Sequence, residues 1–574
     1  MLHFNFAEKR QLEVEQPISA QIWAAKYKYV SAGADVDTTI EDSWKRVAQA
    51  LVAQEHHAEQ SGIRDMFYDA FADFKLIPAG RILSGAGTSR DVTLSNTFVM
   101  RSIPDSVAGI MDTIKDAALT MKMGGGLGFD FSTLRPAGTF VSGLDCPAAG
   151  PLAAMDICDA VCKMLVSGMG RGAMMATMRC DHPDIEAFIS AKSDRTRMRN
   201  FNLSVMISDA FMEALKADAD WDLIWDNQVV RTVKAAELWD TIMRQTYAAA
   251  EPGVLFIDRI NAANPLNYLE TIAATNSCAE QPLPPNGTCP LASINLARLV
   301  TAPFTEQAKL DIPQLRHLAA VAVRLLDNTL DVSLFPLDAQ KQMARRQRRI
   351  GIGVTGVADA IAMLGAQYGT PKAVFLLGSW MQTIQNAAYS ASAKLAKERG
   401  AFPDYDAEKH LAQPMIQALD PSVRAEIAAY GLRNAALTTI APTGTISMLA
   451  GNVSSGIEPI FATSYARTIT GPCGEKRTER VSDYAIWQFE KIFGQGAPLP
   501  SSVVVAADLS PQDHIAMQAA AQRWVDSGIS KTVNCPEDMV FADFKDVYMQ
   551  AYAAGCKGCT TYRPNDVTGS VLSV

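Results

Sequence analysis

The stretch ATNSCAEQPLPP, residues 274–285, sets an amide, a thiol and a carboxyl close together at Asn276, Cys278 and Glu280, with three prolines behind them. Proline fixes φ and removes a backbone donor, so the segment is stiff and ill suited to continue a strand. A stiff loop can hold those three side chains against one small molecule. A polar surface turn with one incidental cysteine is the other reading that the residues leave open. Cys289 lies eleven residues beyond Cys278, just before the strand-like ASINLARLV (292–300). Two cysteines closing on one pocket suit two-electron thiol–disulfide reduction. A small buried hydrophobe is the plainer reading of either one.

Outward from this loop, strand and helix signals alternate. Residues 1–75 read as mostly helical, with apolar positions at helical spacing from Ile40 to Val52. Residues 78–100 read as turns and short β-prone stretches. KMGGGLGFDFSTLRPAGT (122–139) reads as a glycine-rich turn, a short strand and a loop, and Gly168–Met175 as a second glycine-rich turn. NFNLSVMIS (200–208) and GVLFID (253–258) read as strands, each with helices beside it. Residues 313–435 are largely helical, and ALTTIAPTGTISMLAG (436–451) reads as a buried strand entering a Gly/Thr/Ser loop. Ser510-Pro511-Gln512-Asp513 has the pattern of a capped helix start. The alternation predicts α/β architecture with a large central sheet or barrel.

Several local patterns bear on chemistry. In Pro442-Thr443-Gly444-Thr445-Ile446-Ser447, hydroxyls and successive N–H groups suit phosphate oxygens, and a plain turn fits equally. Ser84-Gly85-Ala86-Gly87-Thr88 has the same two readings. The run Gly124-Gly125-Gly126-Leu127-Gly128 precedes its strand instead of following one, which excludes a dinucleotide loop. Cys556 and Cys559 form a single CxxC, open to redox use or burial. Cys180-Asp181-His182 reads as an ordinary turn. Seven histidines without an HxxxH or HExxH pair predict no protein-ligated metal.

The net charge of −9 and a pI near 5.4 disfavour a nucleic-acid substrate. No run of 18 apolar residues suggests a membrane span, and the first residues lack the layout of a secretion signal. Ten scattered cysteines suit a reducing cytoplasm.

Together, PAGRILSGAGT, KMGGGLGFDFSTLRPAG, MRCDHPDIEAFISAK, FIDRINAANPLNY, ATNSCAEQPLPP, RRIGIGVTGVADA, APTGTISMLAGNVSSGIEPIF and GCKGCTTYRPN resemble the adenosylcobalamin-dependent (class II) ribonucleotide reductases, from about Ile18 to Val574. The resemblance implies a helical region over 1–75 and a catalytic domain over 76–574. That domain would be a ten-stranded α/β barrel of two five-stranded halves, with the 276–280 loop as a central finger. It implies that Cys278 carries a thiyl radical, that Glu280 is the base for the 3′-hydroxyl and that Asn276 hydrogen-bonds nearby. It further implies Cys289 as a redox thiol, and Thr88 with Pro442, Thr443, Gly444, Thr445 and Ser447 around the substrate phosphates. Loops near 133–150 and 192–202 would sense a deoxynucleoside triphosphate effector. Asp105 would contact its ribose, although a helix N-cap fits Asp105 on local grounds. A ribonucleoside diphosphate substrate, adenosylcobalamin and a homodimer complete the implied set, with the cobalamin-contacting residues unassigned. The sequence before Ile18 is too short for the family's ATP-cone domain.

Three departures from the family pattern stand out. Asn-Cys is replaced by Asn96-Thr97, which removes the implied disulfide partner of Cys289. Asn-Pro-Cys-Gly-Glu has become Asn276-Ser277-Cys278-Ala279-Glu280, which alters backbone freedom. The sequence ends at Val574 without the family's cysteine-bearing tail. These departures leave a redox-neutral radical enzyme on nucleotides, and a non-catalytic nucleotide-binding homologue, as alternatives to the reductase.

Overall fold

The computed structural model describes residues 16–565 apart from 32, 142–144, 166–171, 195 and 471–475. Parts of both loops expected to sense an effector, and positions 168–171 of the second glycine-rich turn, therefore lie outside the described residues.

The N-terminal region is mainly helical, as its spacing predicts. Helix Ile40–Leu51 starts at a capping box in which Thr39 and Asp42 satisfy each other's backbone N–H groups. It buries Ile40, Trp44, Val47 and Leu51, every third or fourth residue, on one side. Its neighbour Gln60–Phe71 and the long helix Ile312–Val332 pack on that side.

The remaining strands close a ring. Thr97–Val99, Gly126–Asp130, Met174–Arg179, Phe201–Ile207 and Gly253–Phe256 pair in parallel in chain order. A second parallel set starts with Leu291–Asn295 beside Gly351–Thr355. Ile352 bridges to Thr438, and Ile440 bridges to Ile529. Thr532–Asn534 then pairs with Gly558–Tyr562. Two antiparallel seams join the sets. Val254 faces Cys559 at one; at the other, Thr97–Val99 meets Thr288–Cys289, which runs through Pro290 into Leu291–Asn295. This is the expected barrel of two five-stranded halves. Leu291–Asn295 and Gly351–Thr355 are buried at every position, because barrel filling covers one face and helices the other.

One ionic cluster locks the helical layer. Asp327, fully buried on Ile312–Val332, receives Arg348 Nε at 2.8 Å, Arg399 at 3.1 Å and Arg433 at 3.3 Å. Arg399 ends the helix Pro371–Arg399, so the cluster ties the two longest of these helices together. The three guanidinium charges hold the Asp327 carboxyl below its usual range despite burial.

Local expectations fail in three places. Residues 78–100, expected as turns, include the helix Gly80–Gly85. The 442–447 loop closes into a short helix, Gly444–Leu449, because Thr443 takes a left-handed conformation that turns the chain into it. A hairpin over 220–234 and an antiparallel pair of 464–470 with 476–482 also form, where alternation is weak in the sequence.

The barrel is filled by the 274–285 segment. Ala274–Thr275 pairs antiparallel with Pro282–Leu283, and the finger loop projects between them. Room for it comes from residues without side chains: a Cβ on Gly128 would overlap the Thr275 carbonyl, and one on Gly528 would lie 2.5 Å from the Ala279 oxygen. Gly128→Ala is therefore expected to destabilise the fold by about 3 kcal/mol or more, as overpacking against backbone does. Denaturant unfolding of the variant beside the unaltered chain measures it.

Candidate active site

The finger loop is held by backbone pairing and by barrel side chains. Asn276 N–H donates to Gln281 O at 3.1 Å, and Gln281 N–H to Asn276 Oδ1 at 2.9 Å. Thr177 Oγ1 reaches Ala273 O, Asn202 Nδ2 reaches Ser277 O and Thr439 Oγ1 reaches Glu280 O, each at 2.7 Å. Gly528 N–H also donates to Glu280 O, at 2.9 Å. Ala279 sits at φ 65°. That is a left-handed conformation costing an L-residue about 1–2 kcal/mol and costing glycine little.

A cavity of about 350 Å³ opens beside the loop. Cys278 lines it, with Asn202, Leu255 and Ile260 from one half-barrel and Ser530, Lys531 and Thr560 from the other. Its side chain is accessible to solvent there, yet protein surrounds it closely. Burial pushes the thiol pKa up to about 12, the Glu280 charge adds to the rise, and a Ser277 hydrogen bond opposes it. Cys278 is thus a neutral S–H at physiological pH, unlike a nucleophilic cysteine, whose thiolate must be favoured.

Glu280 is only 3% exposed, and its Oε2 has no partner among the described residues. Burial raises its pKa to about 7, against a hydrogen bond from Asn276. Its charge also acts on Cys289, which places both thiols within reach of one carboxyl. Cys289 itself does not line the 350 Å³ cavity. It is fully buried against Ala274 and Leu283, the stem of the finger loop, and burial pushes its pKa well up.

Thr97 lies directly opposite Cys289 in the antiparallel register, and its hydroxyl donates to the Cys289 carbonyl at 2.7 Å. Side chains opposite each other across such a pair stand about 5 Å apart at Cβ. The position is thus geometrically that of a cross-strand partner, occupied by a group that cannot form a disulfide.

The remaining candidates are spread more widely. Thr443 is buried, accepts the Gly456 N–H at 2.7 Å and shares a hydrogen bond with Thr355. Ser447 bonds Gly444 O and Ser455. Thr445 is exposed, and nothing stands within 4 Å of Gly444's missing Cβ, so this first helical turn beyond Pro442 presents open backbone. Thr88 lies on another loop, donating to Gly85 O at 2.8 Å, and no hydrogen bond joins it to the 442–447 segment among the described residues. Asp105 is not a helix cap: Ser106 caps Val107–Lys122, and Asp105 pairs with Arg135 at 2.7 Å. Cys535, Cys556 and Cys559 share one buried apolar cluster, with thiols raised by burial, which fits packing better than redox exchange. The supporting roles of Thr177, Asn202, Thr439 and Gly528 were not evident in the sequence; for Asn202, alternation within NFNLSVMIS was the one available signal.

Two family models cover the chain: "Ribonucleotide reductase, all-alpha domain" over residues 14–91 and "Ribonucleotide reductase, barrel domain" over residues 95–562. The chain belongs to the ribonucleotide reductase family. It is 36% identical over 552 residues to a vitamin B12-dependent ribonucleoside-diphosphate reductase of Mycobacterium tuberculosis, covering 92% of this chain and 76% of the relative. A vitamin B12-dependent ribonucleoside-diphosphate reductase of Thermoplasma acidophilum is 33% identical over 577 residues, covering 97% and 72%. The large subunit of the monkeypox virus ribonucleoside-diphosphate reductase is 28% identical over 444 residues, covering 70% and 57%. Within the ribonucleotide reductase barrel, the finger loop brings Asn276, Cys278 and Glu280 together.

Three measurements follow. A Glu280 acting as base must be ionised, so activity should rise with pH through about 7, and Glu280→Gln should lower it by roughly 10²–10⁴-fold. Because burial raises the folded-state pKa, the unfolded chain loses this proton first. The Glu280 contribution to stability therefore declines as pH climbs from the ordinary carboxyl range to about 7, and Glu280→Gln removes that decline. In Thr97→Cys, mild oxidation should consume two thiols by coupling position 97 to Cys289, as peptide mapping by mass spectrometry would detect.

Proposed function

We propose that this chain reduces ribonucleoside diphosphates to 2′-deoxyribonucleotides through a radical at Cys278, with adenosylcobalamin as cofactor. The observation that carries this reading is Cys278 held as a neutral S–H, beside a buried and half-partnered carboxyl, at the wall of a partly open cavity inside the barrel. Hydrogen-atom transfer needs that intact S–H, which the cavity leaves open to a bound substrate. The vitamin B12-dependent relatives support the cofactor.

The 350 Å³ cavity beside Cys278 is large enough for one arm of such a cofactor. Gly253–Leu255, Ser530–Thr532 and Thr560–Tyr562 line the cavity and would hold that arm. When bound, cobalamin supplies homolysis of its carbon–cobalt bond. Once its own S–H hydrogen has been abstracted, Cys278 would remove the substrate's 3′ hydrogen, with Glu280 taking the 3′-hydroxyl proton and Asn276 orienting the same region. Thr88 and the Pro442–Ser447 turn receive the phosphates. With a hydroxyl at Thr97, no Thr97–Cys289 dithiol can supply the two electrons, so the reduction would draw them from an external dithiol acting at the site.

A deoxynucleoside triphosphate effector near Asp105, with loops about 133–150 and 192–202 relaying it, belongs to the same proposal. So does a homodimer, supported by exposed Val107 and Met111 on one helix and Met164 on the helix packed against it. No helix among the described residues is long and apolar enough to cross a membrane. Nine described cysteines, all free, support a cytoplasmic location.

Cys278→Ser is expected to cut turnover by roughly a thousandfold or more while nucleotide affinity is retained. Electron paramagnetic resonance after mixing with adenosylcobalamin and nucleotide should then show no thiyl-coupled signal. Undiminished turnover would overturn the reading.

A further inference from the structure

Lys557 lies inside the CxxC, between two cysteines whose burial fits packing, and no step described above uses it. Its side chain is buried, and Nζ donates to three successive carbonyls. The partners are Val525 O at 3.1 Å, Asp526 O at 2.5 Å and Ser527 O at 2.9 Å. An ammonium has three donors, so all of them are engaged on one short turn. Burial lowers the Lys557 pKa to about 8, against the Asp526 charge, and the ammonium persists at neutral pH.

That turn backs the finger loop. Gly528 follows Ser527 and donates its N–H to Glu280 O at 2.9 Å, with no space for a Cβ against Ala279 O. One side of the turn is fixed by a neighbouring segment: Asp526 Oδ2 accepts the Leu437 and Thr438 N–H groups at 2.8 and 3.2 Å. Lys557 fixes the other side. Its own carbonyl accepts the Phe256 N–H at 2.9 Å across the seam, from the opposite half-barrel. The residue thus ties the turn to the junction of the two halves.

Lys557 also lines two spaces that flank the loop. One is the 350 Å³ cavity beside Cys278; the other is a gap of about 10 Å³ shared with Pro282, Asp526 and Ser527. A gap of that size holds one water at most, so the loop has little room to settle on that side.

We propose that Lys557 is a positioning residue, holding the 525–528 turn so that Gly528 fixes the depth of Glu280 and Cys278 in the barrel. The inference rests on the reaction proposed in the preceding section and adds a residue that sets its geometry. Without the ammonium, three buried carbonyls lose their donor, which is costly enough to reopen the turn. Glu280 would then gain solvent, and the burial that raises its carboxyl would weaken. Contact with substrate phosphates is a poorer fit, because no donor of Lys557 is left for an anion.

The test is turnover of a ribonucleoside diphosphate by the full chain with adenosylcobalamin and dithiothreitol, measured against pH. Lys557→Met should lower kcat by roughly 10–100-fold with KM nearly unchanged, as displacement of a reacting group by about 1 Å does. The rising limb near pH 7 should move down by about one pH unit, which a simple loss of folded protein would not cause. Lys557→Arg keeps the charge and the donors and should recover most of kcat. A rising limb that stays in place in Lys557→Met overturns the proposal, and so does a higher KM at unchanged kcat. Should Lys557→Met fail to fold, Lys557→Gln, too short for all three carbonyls, carries the same comparison. If the unaltered chain turns over no ribonucleoside diphosphate, the reaction reading itself fails. Infrared titration of the Glu280 carboxyl, assigned against Glu280→Gln, then decides the role of Lys557 by the same shift.

Discussion

The structure depends on one steric constraint: a polypeptide loop occupies the inside of a ten-stranded ring, where side chains would otherwise pack. The loop enters only because the barrel wall is stripped to backbone where it passes, at Gly128 against Thr275 and at Gly528 against Ala279. Close passage brings backbone polar groups within bonding distance, and Thr177, Asn202 and Thr439 complete the hydrogen bonding that the loop cannot satisfy within itself. The same enclosure produces the chemistry. Desolvation raises both the Cys278 thiol and the Glu280 carboxyl, leaving one protonated, as the proposed hydrogen-atom transfer needs, and the other poised near neutrality.

The barrel and the helical layer support this arrangement differently. Parallel strands buried on both faces supply rigidity, and the Asp327 cluster fixes the outer helices through charge. A fully buried carboxyl facing three guanidinium groups is costly to break, since loss of one partner strands charge in a low dielectric. Site residues attached to such a frame keep their positions without help from their own loop. That matters at Ala279, where a left-handed residue with a side chain replaces the unstrained glycine of the family pattern.

Thr97 is the departure from the family pattern with the largest chemical consequence. The antiparallel seam sets it against Cys289, so a β-branched hydroxyl residue where the family pattern has a thiol removes a redox couple while the strands stay paired. The Thr97 hydroxyl instead bonds to backbone, a role that keeps the seam intact. Structure and reaction are thus separable at this position.

The sequence by itself determined the local cluster: Asn276, Cys278 and Glu280 stand within five residues, and prolines after them declare a rigid loop. It also determined the α/β class, through alternating periodicities, and the family, through long motifs in order. Strand order and closure came from tertiary pairing, because a parallel strand's neighbour is set by a crossover and leaves no local signature. The opposition of Thr97 and Cys289, separated by 192 positions, exists only in the register of the seam. Thr443, legible as a phosphate-loop hydroxyl, proved engaged with Thr355 and Gly456. The pKa values of the thiol and the carboxyl likewise belong to the folded chain, since burial, which no single stretch encodes, is their chief cause.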